Sequence, residues 1–485
     1  MQWLMTRPYS VRLPVRIQRD YDFSFVAFFL TITRGLARKL SCLTLTSVEE
    51  ELSISLCNVL YKIASKCVTN RMRAYMDVII SEEQSAFVAG RLITDNVLVA
   101  YESVHTMRRR KKRKNYACAI KLDMMKACDR VEWHFLEAIL TKLGFNRVFV
   151  RLIMKCVSSL RFSVRVNGEL LPFFTPSRGL RQGDPASPFL FLICAEGFSS
   201  LLKYYSNGHI DRGIRVSYRS PWVTHLLFAD DGLIFISANT QSAERLNDIL
   251  RIYDESSGQH VDCAKSSIYF SSNTPAQLKQ QLKAVLTIDV EAFSERYLGL
   301  PTAVGRITSG TFDHIGERAR GKMQGWSEKL LACVGRETLL KSVVQAIPTY
   351  SMSTFLLTKK VCKSLTSPMA KYFWSSSLDK NGMPWVSWKN LATPKCIGGM
   401  GFRDIHCFNL ALLAKQAWRL IDDPESLCAK ILKAKYYPND DLMNVGLRKK
   451  ASYTWQSIMA GTNTLKHGYI WRVGNGHNIN IWEDA

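Results

Sequence analysis

The stretch Leu226–Phe235, LLFADDGLIF, sets two adjacent acids into an apolar run. Neighbouring carboxylates repel, and each makes ionisation of the other harder unless a cation sits among them. The flanking runs THLLF and GLIFI have the composition of β-strands, and Asp231-Gly232 offers a tight hairpin turn between them. Acids at the tip of a buried hairpin have little freedom to separate, which points to bound metal. An Asp-Asp pair alone carries no weight. Asp422-Asp423 stands before a proline at a predicted helix boundary, and Asp440-Asp441 follows Pro438-Asn439 in a predicted loop. Both of these have ordinary capping or turn explanations.

A third acid is expected on an adjacent strand. In YACAIKLD, Tyr116–Asp123, the residues Cys118, Ile120 and Leu122 alternate with Ala119, Lys121 and Asp123. This is the pattern of a strand with one buried face, ending in Asp123 on the open face. Hard oxygen donors without His or Cys alongside favour Mg²⁺, with Mn²⁺ as a substitute. Three such carboxylates suit two ions about 3.5–4 Å apart and an in-line displacement at phosphorus. The chemistry that follows is nucleotidyl transfer from a triphosphate to a 3′-hydroxyl.

Composition agrees with a nucleic-acid partner. The 485 residues are enough for about three domains, and 47% hydrophobic content can bury a core. The 65 Lys+Arg against 41 Asp+Glu give a formal charge of +24, which favours a polyanion over an acidic small molecule. A generic basic surface is the plainer alternative. Thirteen cysteines without a CxxC pair suggest neither a disulfide framework nor a zinc ribbon. The setting expected is therefore intracellular, nucleus or cytoplasm. No membrane partner is expected, because the early apolar run Phe23–Ile32 is far shorter than the roughly 20 residues that span a bilayer. Arg7, Arg12, Arg16 and Arg19, with no acid among them, only weakly resemble a transit peptide.

Residues 1–50 lack sustained periodicity and are expected to be atypical and poorly ordered. From Leu56 to Met76 the apolar positions Val59, Leu60, Ile63, Ala64 and Val68 fall at helical spacing, and Asp95–Met107 reads as another helix. RRRKKRK, Arg108–Lys114, predicts an exposed loop or frayed helix end that could touch phosphates or serve as a localisation signal. Val131, Phe135, Leu136, Ile139, Leu140 and Leu143 form a helical stripe stopped by Gly144. Eight of the eleven tryptophans lie at Trp326 or beyond, predicting a helical region whose tryptophans serve core packing rather than base stacking.

The order strand-Asp, helix, hairpin Asp-Asp is that of a polymerase palm. KLDMMKACDRVEW (Lys121–Trp133), RGLRQGDPASPFLF (Arg178–Phe191) and FADD (Phe228–Asp231) resemble the A, B and C motifs of reverse transcriptases from plant LINE-type, non-LTR retrotransposons. ISLCNVLYKIASK (Ile54–Lys66), QSAFVAGRLITDNVLVAYE (Gln84–Glu102), SGQHVDCAKSSIYFS (Ser257–Ser271) and YLGLP (Tyr297–Pro301) are similar to the neighbouring blocks in the same order. Similarity extends to GGMGFRDIHCFNLALLAKQAWRL, Gly398–Leu420. The resemblance implies an α+β right-hand fold with an antiparallel palm sheet and packed helices. It implies fingers and palm over residues 51–290, primer grip and thumb-like helices over 291–345, and a helical, Trp-rich region over 346–485. The implied partners are an RNA template, a DNA primer and dNTPs; nothing about oligomeric state follows.

Position by position, the resemblance makes Asp123 and Asp230 the principal ligands of two Mg²⁺ ions and Asp231 a weaker one. Gln182 and Gly183 would border the incoming nucleotide, while Pro185 and Pro188 start the following helix. Lys265 would neutralise or protonate the departing pyrophosphate, with a solvated lysine as the alternative. Tyr297, Leu298 and Gly299 would form the primer grip. Asp129 and Arg130 would be structural.

Three departures bear on activity. Cys128 stands where the family has Phe or Tyr to exclude a 2′-hydroxyl, which predicts weaker discrimination against ribonucleotides. Leu52-Ser53 replaces Arg-Pro, so a bidentate phosphate contact is missing, and residues 1–50 do not resemble the upstream fingers segment. No endonuclease domain precedes this core, and the chain ends at Ala485 before the zinc-binding and ribonuclease-H-like regions of such elements. It therefore reads as a fragment or decayed copy. The rival readings are a catalytically inactive nucleic-acid-binding remnant and a viral RNA-directed RNA polymerase. The second is disfavoured because such enzymes usually have Gly where Ala229 stands.

Overall fold

The computed structural model describes residues 42–45, 54–55, 59–110, 115–167, 169–206, 212–291, 296–301, 310–327, 331–378, 382–446 and 451–470. Leu52-Ser53, Lys111–Lys114 of the basic run and most of residues 1–50 lie outside them. The chain divides into two compact units. One is built from the chain up to Asn96, Met107–Arg215 and Trp222–Ser294. The other takes Val97–Thr106, Val216–Pro221 and everything from Glu295 onward.

In the first unit β1 (Cys42–Leu45), β2 (Ile54–Ser55), β4 (Phe162–Val166) and β5 (Glu169–Leu170) form a sheet in the order β2-β1-β4-β5, with β1 and β4 parallel. The sheet that matters for function has the order β10-β3-β9-β8. Its members are β3 (Ala117–Leu122), β8 (His225–Phe228), β9 (Asp231–Ser237) and β10 (Ser267–Phe270), all antiparallel. The short strands β6 (Ile214–Arg215) and β7 (Trp222–Val223) pair separately.

Alternation decides which side of this sheet meets the core. Cys118, Ile120 and Leu122 of β3 join Leu227, Ile234, Ile236, Ile268 and Phe270 in one buried cluster. The same cluster holds Phe135, Leu136, Ile139 and Leu140 of the helix Trp133–Lys142, and Leu190, Ile193 and Cys194 of the helix Ser187–Ser206. The other face of β3 is also covered. Ala119 is fully buried, as are Leu226, Leu233 and Phe235 beside it, and only Lys121 and Asp123 open toward solvent. The expected half-buried strand is thus an inner strand, with β9 and β10 on its two edges, buried on both faces over most of its length.

The helix Val59–Arg73 forms as its spacing predicts but turns a different face inward. Val59, Leu60 and Ile63 are exposed, whereas Tyr61, Ser65, Val68, Thr69 and Met72 are buried. The cause is a buried acid. Tyr61 Oη donates to Asp184 Oδ2 at 2.7 Å, and Ser65 Oγ donates to Asp184 Oδ1. A buried carboxylate left without donors is more costly than three exposed aliphatic side chains, so its hydroxyl partners set the helix rotation.

Among the described residues, the second unit is helical apart from the hairpin of β11 (Arg296–Tyr297) and β12 (Leu300–Pro301). Phe312, Phe355, Tyr372, Phe373 and Phe402 centre its core. Glu102 is fully buried there and accepts from Lys435 Nζ, Tyr436 Oη and Thr454 Oγ1, each at 2.7 Å, and from Ser452 Oγ. Trp455 is buried and stacks on Tyr436 at 4.3 Å, the core role expected for the tryptophans of this region. Trp385, 77% exposed, does not share it. Asp422 ends the helix Ile405–Asp422, as Asp-Asp before proline predicts.

Candidate active site

The register of the central sheet brings Asp123 and Asp231 to neighbouring strand ends, with Asp230 in the adjoining turn. Lys121 pairs with Leu233 and Leu122 with Gly232 across β3 and β9, so continuing the ladder by one step sets Asp123 beside Asp231. Both belong to the face on which Lys121 also projects. Phe228 pairs with Asp231 at the end of the β8–β9 ladder, which leaves Ala229 and Asp230 as the two-residue turn. The expected Asp231-Gly232 turn is therefore two residues out of place. Gly232 lies in the strand between Leu122 and Leu227, and the left-handed residue is Ala229, at φ +54°.

A left-handed alanine costs roughly 1–2 kcal/mol. Here the backbone is held on both sides. The Ala229 N–H donates to Gln84 Oε1 at 3.1 Å, and Gln84 Nε2 donates to the Ala229 carbonyl at 3.4 Å.

Burial holds the Asp231 carboxyl above its ordinary range; the negative charges of Asp230 and Asp123 add to the effect, and the Lys121 ammonium opposes it. The three carboxylates thus feel one another. Among the described residues, no group of three Asp, Glu, His or Cys side chains is gathered closely enough to hold a metal ion as it stands. The donor chemistry, carboxylates with no imidazole, fits a hard divalent cation.

Two loops frame the acids. After Asp123 the chain runs antiparallel to Ser257–Asp262: the Asp262 N–H donates to the Asp123 carbonyl (2.9 Å), the Met125 N–H to the His260 carbonyl (2.9 Å), and Arg130 Nε to the Gly258 carbonyl (2.8 Å). Ser266 Oγ accepts from the Asp123 N–H at 3.2 Å. On the other side, the Leu180 N–H donates to the Cys128 carbonyl and the Gly179 N–H to the Val131 carbonyl, both at 2.8 Å. Gly179 sits at φ +91°, where an added Cβ would lie 2.6 Å from the Asp129 carbonyl oxygen. The A and B motifs and the block Ser257–Ser271, far apart in sequence, are one hydrogen-bonded frame.

The family model described as "Reverse transcriptase (RNA-dependent DNA polymerase)" matches residues 51–301, just over half of the chain. The chain belongs to the reverse transcriptase family. It is 41% identical over 140 residues to an uncharacterized mitochondrial protein of Arabidopsis thaliana, covering 29% of this chain and 91% of that one. It is 25% identical over 366 residues to the transposon TX1 uncharacterized 149 kDa protein of Xenopus laevis, covering 74% of this chain and 26% of that one. It is 29% identical over 139 residues to the retrovirus-related Pol polyprotein from type-1 retrotransposable element R2 of Popillia japonica, covering 28% of this chain and 19% of that one. The chain therefore spans only about a quarter and a fifth of the last two. Reverse transcriptases use divalent metal ions as a family.

Within this reverse transcriptase chain the other expected positions fall as follows. Gln182 and Gly183 are exposed in the loop before the helix Ser187–Ser206, and Gly183 is at φ +76°. That helix begins at Ser187, so Pro188 is in its first turn and Pro185 lies in the preceding turn. Asp184, whose Oδ1 also accepts from the Ala186 N–H at 2.9 Å, fixes that turn. Cys128 lies beside the acids. Cys128 is an exposed residue, yet partial desolvation of its sulfur, with the charges of Asp230 and Asp129, pushes its thiol up to about 11. Lys265 has a 73% exposed side chain whose Nζ is 3.7 Å from Asp262 Oδ2, one residue from Ser266. Tyr297, Leu298 and Gly299 belong to the second unit. Leu298 (φ +48°) and Gly299 (φ +75°) turn the β11–β12 hairpin, and Tyr350 Oη donates to the Leu298 carbonyl at 2.8 Å. Arg130, expected to be structural, donates from Nε to the Gly258 carbonyl.

Sequence reading gave no role to Gln84, Asp184 or Ser266. Each lies inside a block that carries the family resemblance, but a hydrogen bond across more than a hundred residues leaves no mark in local spacing.

Proposed function

We propose that this chain is the polymerase core of a non-LTR retrotransposon, an RNA-directed DNA polymerase that extends a DNA primer on an RNA template with dNTPs. The observation that carries the reading is the β3–β9 register, which sets Asp123 beside Asp231 with Asp230 in the adjoining turn. Relatives named as a transposon protein and a retrotransposable-element polyprotein support the source.

Asp123, Asp230 and Asp231 would hold two Mg²⁺ ions, or Mn²⁺. When bound, such ions supply Lewis acidity and charge neutralisation for displacement at phosphorus. The protein's own share is positional. The strip Ser257–Asp262 and the loop Arg178–Gly183 hold the A block from two sides, so its acid and Cys128 keep a fixed spacing. Gly183, exposed and left-handed, lets backbone approach a nucleotide where a side chain would intervene. Gln182 beside it offers an exposed amide to the sugar. Lys265 is free enough in solvent to follow a leaving phosphate. Excess positive charge attracts template and primer, and binding should weaken steeply with salt.

The test is extension of a primed RNA template by purified protein with Mg²⁺ and dNTPs, against an Asp230→Asn control. Incorporation well above the control is expected. Incorporation equal to the control overturns the proposal in favour of a nucleic-acid-binding remnant.

A further inference from the structure

The turn that carries Asp230 is held from outside its own sheet. β8 is an edge strand, and residues 83–85 lie along it in parallel: the Leu227 N–H donates to the Glu83 carbonyl at 2.8 Å, and the Ser85 N–H donates to the Leu227 carbonyl at 3.1 Å. The Gln84 side chain then reaches past the strand end to Ala229. Its amide is 2% exposed at residue level, and it engages both polar groups of that one peptide residue, with Oε1 also accepting from the Ala86 N–H at 3.0 Å.

The clamp is itself anchored. Arg91 donates from Nη1 to the carbonyls of Ser81 (2.5 Å) and Gln84 (2.8 Å), and from Nη2 to the carbonyl of Ile80 (2.8 Å). Asn96 Nδ2 donates to the Leu227 carbonyl at 2.7 Å, and its Oδ1 accepts from Ser85 Oγ at 2.6 Å. A planar amide with one donor and one acceptor, fixed at its base, matches a single residue whose N–H and C=O must both be held at positive φ.

We infer that Gln84 is a positioning residue of this site: its amide keeps Ala229 left-handed and so aims the Asp230 and Asp231 carboxylates. It touches no reacting atom. Two predictions separate this from a general packing role. Gln84→Ala removes the clamp, and Ala229→Gly in that background lets the turn take the same φ without one. A side chain that merely filled space would not be rescued by a change in backbone freedom at residue 229.

The inference rests on the polymerase reading only for its kinetic arm. In hydrogen–deuterium exchange of the full chain, peptides covering Leu226–Gly232 should exchange faster in Gln84→Ala, while the peptides of Trp133–Lys142 stay as in wild type; the thermal midpoint should fall, because the Ala229 and Ala86 groups lose a buried partner. Unchanged exchange in Leu226–Gly232 overturns the clamp whether or not the protein polymerises. In primer extension, Gln84→Ala should lower kcat by about 100-fold, the loss typical of ångström-scale misplacement, with KM for dNTP within about threefold. Adding Ala229→Gly should recover at least about tenfold of that loss. No recovery, or a loss confined to KM, overturns it. A wild-type chain no more active than Asp230→Asn defeats the polymerase reading, and the exchange arm still decides the clamp.

Discussion

Asp123 and Asp231 are brought side by side by two strands that run in opposite directions, one step beyond the pair Leu122 and Gly232. A slip of one residue in that ladder would turn one of the acids to the opposite, buried face. The alternation that buries Cys118, Ile120 and Leu122 on one side is therefore also what keeps Asp123 on the same side as its partner. Each consequence can be measured.

The crowding of charge makes the site pH-dependent. Asp231 has its folded pKa raised from the ordinary 3.8. Between the ordinary and the raised value the folded state holds more protons than the unfolded one, so stability falls as pH rises through that window. Asp231 should therefore contribute a loss of thermal midpoint in EDTA that begins at about pH 4 and grows through the raised value, read as the difference between wild type and Asp231→Asn. Asp231→Asn should reduce that decline and raise the midpoint at pH 7. An identical pH profile in the variant, followed by calorimetry, would show that Asp231 is not under this pressure.

A divalent cation should relieve the same repulsion. Mg²⁺ or Mn²⁺ at about 100 times its Kd stabilises a protein that binds it only when folded by about 2.7 kcal/mol. Titration of the apo chain should show a rising midpoint that is lost in Asp123→Asn. Incorporation by that variant should fall by more than about 100-fold, beyond the 10–100-fold usual for residues that only support a ligand.

If the chain is the polymerase proposed, Cys128 would leave room for a 2′-hydroxyl that a bulkier residue would close. Cys128→Tyr should improve discrimination of dNTP over rNTP in single-nucleotide extension, and equal exclusion by both proteins would refute the assignment. The thiol gives a second readout. With its pKa pushed up to about 11, only about one molecule in a thousand is thiolate at pH 8. Alkylation of Cys128, followed by mass spectrometry, should be slow there and accelerate until pH is close to 11.

Gly179 couples the A and B blocks at a point where no side chain fits. Gly179→Ala places a methyl group 2.6 Å from the Asp129 carbonyl at a left-handed position. The expected cost is at least about 2 kcal/mol, from strain and overlap together. Urea unfolding would measure it. A variant as stable as wild type would mean that the two loops separate easily.

Much of this was legible in one dimension because the signals are local. The two-residue periodicity of ACAIKL, the apolar runs around Asp230-Asp231, the helical stripe from Val131 to Leu143 and the ordered blocks all survive in sequence. They are enough to name an α+β polymerase palm and to choose three aspartates out of the chain's 41 acids. The Asp231-Gly232 turn failed because turn propensity is a weak preference, which the pairing of Gly232 with both neighbouring strands overrides. The buried face of Val59–Arg73 failed because hydrophobic spacing cannot see an acid that arrives from residue 184.

Sequence by itself determined the chemistry: which side chains carry charge, which strands they end, and which family they belong to. Tertiary structure alone decided the geometry, namely that Asp231 rather than Asp230 continues the ladder from Asp123, that Ala229 takes the left-handed turn, and that Gln84 holds it there. Hydrogen bonds between distant segments are satisfied only after the chain has closed on itself. Their partners are chosen by proximity in space, which no local pattern encodes.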